Sequence, residues 1–130
     1  MSTATSTSSI TEIGGKYVLD LSCTGSSGAT TNVTGGAGSI FMIQINNEAN
    51  STPVYLKIRD NATATPATTT ANGVGTPHFT FKAPAYKKIT YCIPGGAAFS
   101  AGLSMWCVTG AIVGSQADPS SSVIVKIIAS

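Results

Sequence analysis

Few side chains in this sequence could carry out acid–base, nucleophilic or metal chemistry. The chain of 130 residues has one histidine, His78, which follows a proline at the start of a predicted strand, a position typical of a surface or edge residue. Its five acidic residues fall in five separate segments: Glu12, Asp20, Glu48, Asp60 and Asp118. No spacing therefore pairs two carboxylates for general acid–base catalysis. With no nucleophile, metalloprotease or phosphate-loop motif either, the sequence predicts no catalytic residues and no enzymatic activity.

The three cysteines, Cys23, Cys92 and Cys107, have neither a CxxC pair nor the spacing of metal ligands. All three lie in apolar strand patterns, which predicts small, buried hydrophobic side chains. A bridge between Cys92 and Cys107 on neighbouring strands is the less favoured alternative. Without the spacing of metal ligands, we expect no metal. No Gly-Gly pair joins a strand to a helix that could hold phosphate, and we expect no cofactor.

Charged residues make up only 9 % of the chain, against about 25 % in a typical soluble protein. The surface must then consist largely of Ser, Thr, Asn and backbone groups, with few charges to keep neighbouring molecules apart, which favours packing in an assembly. The net charge of +2 is too small to indicate a nucleic-acid partner. The closest basic cluster, Lys82, Lys87 and Lys88, is expected to solvate the outer face of one hairpin.

No stretch approaches the roughly 20 apolar residues of a membrane span, so we expect no membrane partner. The N-terminus lacks the basic start and apolar core of a secretory signal, and we expect the chain to stay in the cytoplasm, where thiols are usually reduced. Three N-x-Ser/Thr triplets begin at Asn32, Asn50 and Asn61. They would indicate glycosylation in a secreted protein, but we interpret them as chance in a chain this rich in Ser and Thr.

Alternating apolar and polar residues predict about seven strands. One such segment begins at Pro53. In it the side chains of Val54, Leu56 and Ile58 point one way and the polar side chains point the other way. This alternation predicts one buried face and one solvent-exposed face. The predicted strands are 17–23, 39–46, 53–60, 78–82, 86–93, 103–109 and 122–129. With no helical periodicity, these indicate one antiparallel β-sandwich over residues 13–130. Immunoglobulin-like and jelly-roll-like wirings fit equally well.

Two features interrupt this pattern. Pro94-Gly95-Gly96 is expected to break the strand ladder sharply. Residues 1–12 lack any core-forming run, which predicts a flexible Ser/Thr-rich arm.

Several residues are candidates for contacts with other proteins. Trp106 is predicted to fill the core, with a subunit contact as the alternative, while Tyr55 and Tyr86 occupy polar-facing positions. We expect at least one of these three aromatic residues in an interface. The arm is predicted to pair with an exposed sheet edge of a partner through its main chain. Its candidate residues are Ser2, Thr3, Thr5, Thr7 and Thr11.

One ordered pattern resembles a known class of proteins. It runs from PVYLKIRDNATA through a loop from Gly73 to Pro77 and the Pro94-Gly95-Gly96 corner to FSAGLSMWCVTGA, and covers Pro53 to Ala111. This pattern is similar to small β-sandwich virion proteins of tailed bacteriophages. Where such proteins often carry acidic residues after the Thr-Gly pair, only Asp118 is available here.

The resemblance implies a virion structural protein, and among these a capsid decoration (cement) protein is the favoured interpretation. It implies the major capsid protein and further copies of the chain, often in a trimer, as partners. It also implies a position on the capsid surface after assembly in the host cytoplasm. The alternatives are a domain associated with the tail, baseplate or fibre, and a carbohydrate-binding adhesin module.

Overall fold

The computed structural model describes residues 16–23, 30, 33–62, 77–111 and 117–130, together with the backbone of residues 3–7. Eight strands and no helix are present in these residues. The strands are β1 (Thr3–Thr7), β2 (Lys16–Cys23), β3 (Gly38–Asn46), β4 (Val54–Asp60), β5 (Phe79–Ala83), β6 (Lys88–Phe99), β7 (Leu103–Val108) and β8 (Val123–Ala129). The prediction of an all-β chain is confirmed, and each of the seven predicted strands is present. Within the described residues, no helix has the length and apolar character needed to cross a bilayer.

The strands form two antiparallel sheets packed as a sandwich. The larger sheet has the order β1-β2-β8-β3-β6 and the smaller sheet the order β5-β4-β7. The pairs are nested: β4 pairs with β5, β3 with β6, Thr30 with Met105 of β7, and β2 with β8. In this nested pairing the first half of the chain pairs with the second half in reverse order, which is the jelly-roll topology. The sequence fitted an immunoglobulin-like and a jelly-roll-like topology equally well, and the described strands have the jelly-roll topology.

The core lies between the two sheets and takes mainly alternate side chains from strands β2 to β8. In β8, for example, Val123, Val125 and Ile127 are buried, and the residues between them are only half-buried. In β4 the side chains that belong to this core are Val54, Leu56 and Ile58, as the alternation predicted. Full burial of a side chain of this size stabilises the fold by roughly 1.5–3 kcal/mol. The period-2 pattern therefore identified the residues on which the sandwich depends.

Part of the outer face of the smaller sheet is not exposed to solvent, contrary to the prediction for β4. Lys57 is fully buried there, and so are Ser104, Trp106 and Val108 on the neighbouring β7. The outer face is therefore covered around the central strand β4 and its neighbour β7. Burial lowers the pKa of Lys57 below its ordinary value, because a charged ammonium loses hydration there.

The cysteines also depart in part from the prediction. Cys23 and Cys107 are buried, as predicted, but Cys92 is exposed. In β6 the half-buried positions belong to Ile89, Tyr91 and Ile93, so the alternation turns Cys92 outward. Because Cys92 and Cys107 lie on strands of different sheets, the alternative of a bridge between neighbouring strands is wrong.

The Pro94-Gly95-Gly96 segment does not end the strand, contrary to the prediction. Strand β6 continues through it, and the pairing with β3 shifts register between Ile40 and Met42. Both glycines have left-handed φ angles, 79° at Gly95 and 80° at Gly96. Since β6 is an edge strand, the missing N–H of Pro94 need not cost a ladder bond. The segment is therefore a bulge within one long strand.

The two glycines of this bulge give a matched pair of substitutions. A Cβ at Gly96 would lie 2.9 Å from both Phe41 and Ser39, whereas one at Gly95 meets nothing within 4 Å. We expect Gly95→Ala to lower the free energy of unfolding by about 1 kcal/mol through backbone strain alone. Gly96→Ala adds the collision and is expected to cost about 2–4 kcal/mol in total. Urea denaturation of both variants measures the difference, and equal losses would contradict the close approach at Gly96.

Candidate functional site

One exposed aromatic residue lies on a sharp turn between the two sheets. The turn Pro84–Lys87 joins β5 to β6, and it is closed by a hydrogen bond of 3.3 Å from the Lys87 N–H to the Pro84 carbonyl. Tyr86 is at the third position of this turn, with 64 % of its surface exposed. We call residues 84–87 the Tyr86 turn.

Tyr86 has a backbone conformation that is unfavourable for its residue type. Its φ of 59° is the only positive value of a non-glycine residue among the described parts of the chain. At this place in a turn glycine or asparagine is usual, since a Cβ costs roughly 1–2 kcal/mol in the left-handed region. The local sequence thus carries a cost that a glycine would avoid.

Two buried asparagines hold the Tyr86 turn in place. Asn47 and Asn50, 0 % and 1 % exposed, lie in the connection from β3 to β4. The Asn50 carbonyl accepts the Tyr86 N–H at 3.0 Å, and the Asn47 N–H donates to the Lys87 carbonyl at 2.9 Å. The Asn47 side-chain amide donates to the Pro84 carbonyl at 3.1 Å. Three of the four residues of the turn are therefore bonded to the connection from β3 to β4.

The two asparagines also bond to each other and to a third segment. The Asn50 amide donates to Asn47 Oδ1 at 2.9 Å and to the Ser121 carbonyl at 3.1 Å. Asn50 Oδ1 accepts the Ser121 N–H at 2.8 Å and the Ser120 hydroxyl at 3.2 Å. We call Asn47 and Asn50 the asparagine pair. Because Asn50 is buried and its amide donates two hydrogen bonds, this asparagine is not accessible in the fold.

Three exposed lysines are close to Tyr86 along the chain: Lys82 on β5, and Lys87 and Lys88 directly after Tyr86. Contrary to the prediction, they do not lie on one hairpin, because β5 and β6 belong to different sheets. Lys88 Nζ lies 3.9 Å from Glu48 Oε1, in an ion pair whose side chains are about half exposed, and such surface pairs contribute little to stability. The site thus offers a ring, a phenol hydroxyl and ammonium groups on a rigid support, which suits contact with an apolar pocket that has an acidic rim.

The other predicted contact residues are not grouped with Tyr86. Tyr55 is half-buried on the outer face of β4, in register with Lys82 and Val108. Trp106 faces the same way, in register with Lys57. It is buried, but it does not belong to the core between the sheets, where we had placed it. Its indole N–H has no hydrogen-bond partner among the described residues.

The described part of the N-terminal arm is a strand. Thr3, Thr5 and Thr7 lie on β1, which pairs antiparallel with β2 of the same chain at the edge of the larger sheet. Ser2 and Thr11 lie outside the described residues. The flexibility of residues 1–12 and the pairing with a partner stay predictions.

His78 and Asp60 have structural partners. His78 Nδ1 accepts the Asp60 N–H at 2.8 Å. The Asp60 carboxylate accepts the N–H groups of Ser100 and Ala101 at 2.8 and 2.9 Å, and so joins β4 to the turn before β7. Among the described residues, no group of three or more His, Cys, Asp and Glu side chains could hold a metal ion.

Comparisons of the chain with protein-family models, with curated proteins and with solved structures gave no match. Function must therefore be inferred from the residues themselves. Sequence reasoning identified Tyr86 as a polar-facing aromatic residue, but it missed the asparagine pair, which was interpreted as part of a polar turn. The available signal was two asparagines three residues apart in a short connection between strands, since Asn side chains bond to nearby backbone.

The asparagine pair can be tested by a substitution with a neighbouring control. Asn47→Ala removes bonds to three carbonyls, those of Thr52, Ala83 and Pro84. We expect the free energy of unfolding to fall by about 2–4 kcal/mol, because buried acceptors lose their donor. In Asn46→Ala only the bond from the Glu48 N–H at an exposed site is lost, and the expected loss is about 0.5 kcal/mol. Similar losses in the two variants would contradict this role of Asn47.

Asp60 predicts a specific response to acid. Burial raises its pKa, but the N–H groups of Ala101, Ser100 and Gly102 and the Ser100 hydroxyl outweigh this, so the pKa lies below its ordinary value. A carboxyl of this kind stabilises the fold above its unfolded pKa, and the contribution disappears as pH falls through the folded pKa. We expect Asp60→Asn to be less stable than the wild type at pH 7, with a gap that narrows below about pH 4. Denaturation curves across pH measure this gap, and a constant gap would contradict it.

Proposed function

We propose that the chain is a non-enzymatic structural protein of a virus particle: a capsid decoration protein of a tailed bacteriophage. In this proposal it forms a homo-oligomer, expected to be a trimer, on the capsid surface. Each oligomer clamps neighbouring copies of the major capsid protein. The observation that carries the binding role is Tyr86, an exposed aromatic side chain held at a φ of 59°.

The conformation of Tyr86 supports a role outside the fold. Its ring is mostly exposed, so it adds little to the core, and its backbone conformation costs free energy. Residues kept in unfavourable conformations cluster at binding and switch sites. Tyrosine is also among the residues that dominate the affinity of protein interfaces.

The charges around the Tyr86 turn support a protein partner with acidic groups. Lys82, Lys87 and Lys88 are exposed within four residues of Tyr86 along the chain, and Lys88 forms an ion pair with Glu48. Complementary charge at the rim of an interface mainly raises the association rate and fixes orientation. An acidic patch next to an apolar pocket on the capsid subunit is the complementary surface.

The fold and the composition support the same proposal. Jelly-roll sandwiches occur in viral capsid and lectin domains, although a fold alone does not decide function. A charged fraction of 9 % suits a protein that packs against others. The resemblance of Pro53 to Ala111 to phage virion proteins is the feature that selects the capsid.

One side of the sandwich offers apolar surface for contacts between copies. Half-buried hydrophobic side chains follow the edge strands β5 and β6, where the two sheets adjoin: Phe79, Phe81, Ile89, Tyr91 and Ile93. Joining several weak sites in one oligomer raises their effective concentration on the capsid, so that the assembly binds more tightly than a single copy. Clamping across capsid subunits would follow from this multivalency.

A second candidate is a carbohydrate-binding domain of a tail, fibre or adhesin. The observation that favours it is the exposed Tyr86 ring on a jelly roll, since lectins also use this fold. It differs from the capsid proposal in needing no lattice and in predicting binding to glycans.

The test is cosedimentation with expanded, undecorated capsids assembled from the major capsid protein of the same genome. We expect the wild type to be an oligomer by light scattering, to saturate capsids at a fixed stoichiometry and to raise their disruption temperature. Tyr86→Gly is expected to bind at least about tenfold more weakly, the loss of an interface anchor. Its free energy of unfolding should stay the same or rise by up to about 1 kcal/mol, because glycine accepts the left-handed conformation.

Leu21 provides a matched control. It is the other large hydrophobic side chain among those described that is exposed, at 49 %, and it lies on β2. Leu21→Ala should leave capsid binding unchanged. If Tyr86→Gly lowers stability and leaves binding unchanged, Tyr86 serves the fold and the proposed site is wrong. A monomer that binds glycans and not capsids would favour the second candidate.

A further inference from the structure

Two of the three cysteines meet in the core between the sheets. Cys23 ends β2 of the larger sheet, and Cys107 lies on β7 of the smaller sheet. Both are buried in the same hydrophobic cluster. Both thiols are free, and the influence of Cys107 on the raised pKa of Cys23 agrees with their being neighbours in this cluster.

A bulge in β2 turns Cys23 toward Cys107. Asp20 pairs with Val125 and Cys23 pairs with Val123, so β2 has one more residue than β8 over this interval. Without that extra residue, strict alternation from Asp20 would point Ser22 inward and Cys23 outward. Instead Cys23 is buried and Ser22 is only half-buried.

A second set of contacts holds the two strands together beside the thiols. Buried Asp20 accepts the Ser22 N–H at 3.0 Å and the Thr30 hydroxyl at 3.3 Å. Thr30 exchanges two backbone hydrogen bonds of 2.9 Å with Met105. Met105 is two residues before Cys107, on the same face of β7. The end of β2 is thereby tied across the sandwich to the part of β7 that carries Cys107.

We propose that Cys23 and Cys107 form a disulfide that joins the two sheets once the protein meets a disulfide oxidant such as oxidised glutathione. A thiolate of the pair attacks the oxidant and releases one thiol. The second cysteine then attacks the mixed disulfide and releases the other. Two protein S–H bonds and one S–S bond of the oxidant are lost, and one protein S–S bond and two small thiols are formed. To form the bond, the two sulfur atoms must approach to about 2.05 Å.

The surroundings of the pair make this reaction slow in the closed fold. Neighbouring Cys107, burial and nearby Asp20 raise the pKa of Cys23, and the thiolate is the reactive form. Small oxidants reach a buried thiol only when the sandwich opens or while it folds. Exposed Cys92 reacts first with added reagents. The pair thus stays reduced in a reducing compartment and closes later, in an oxidising one.

This proposal does not rest on the proposed function, and its test uses the full chain alone. Trypsin cannot separate Cys92 from Cys107, because no Lys or Arg lies between them, so the test is made in Cys92→Ser protein. That protein is refolded in a glutathione redox buffer, and its intact mass and tryptic peptides are measured without reduction. We expect the loss of two hydrogen atoms and a peptide containing Cys23 linked to one containing Cys107.

The melting temperature supplies a second measurement. The bridge closes a loop of more than 80 residues, which predicts a rise of about 10 °C that reductant reverses. Adding Cys23→Ala or Cys107→Ala to the Cys92→Ser protein should abolish both the linked peptide and the rise. Two thiols that persist after refolding under oxidising conditions would overturn the proposal. So would a linked form that melts below the reduced one, since its sulfur geometry would then not match the fold.

Discussion

The asparagine pair is the constraint on which one end of the sandwich depends. Asn47 and Asn50 join three connections: from β3 to β4, from β5 to β6, and the approach to β8. Both side chains are buried, and an unsatisfied buried amide or carbonyl costs roughly 1–3 kcal/mol. The three connections therefore have to meet in one geometry. That requirement fixes how the chain passes from β3 of the larger sheet to β4 of the smaller sheet and how it returns to the larger sheet at β6. It also holds the turn that carries Tyr86.

A comparable polar anchor lies at the other end of β4. There the Asp60 carboxylate binds the turn at Ser100 and Ala101, where the chain passes from the larger sheet into β7 of the smaller one. The apolar core supplies most of the stability between these anchors, but it is non-directional and does not fix the crossings between sheets. Directional bonds at both ends supply that specificity, as buried polar groups do when every partner is present.

The sequence predicted the strands much better than their wiring. Period-2 alternation located the seven strands because each buries one face, as in β8 and β4. It could not predict the nested pairing, which depends on contacts between distant residues such as Thr30 and Met105. It also placed Trp106 in the core, because alternation separates two faces but does not reveal that the outer face is covered. Pro94-Gly95-Gly96 was expected to end a strand, as such residues do in the middle of a sheet. An edge strand tolerates them, and so β6 continues through this segment.

Tyr86 shows why the site could be predicted only in part. Its place on a polar face is visible in the sequence, whereas its left-handed conformation follows from bonds made by the asparagine pair. Those bonds involve the backbone N–H of Tyr86 and not its ring, so any residue that tolerates a positive φ could form them. The fold thus uses the backbone of this residue and leaves the side chain free for contact. Stability and binding are separable at this position, which is why a cost to the fold there supports a role in recognition.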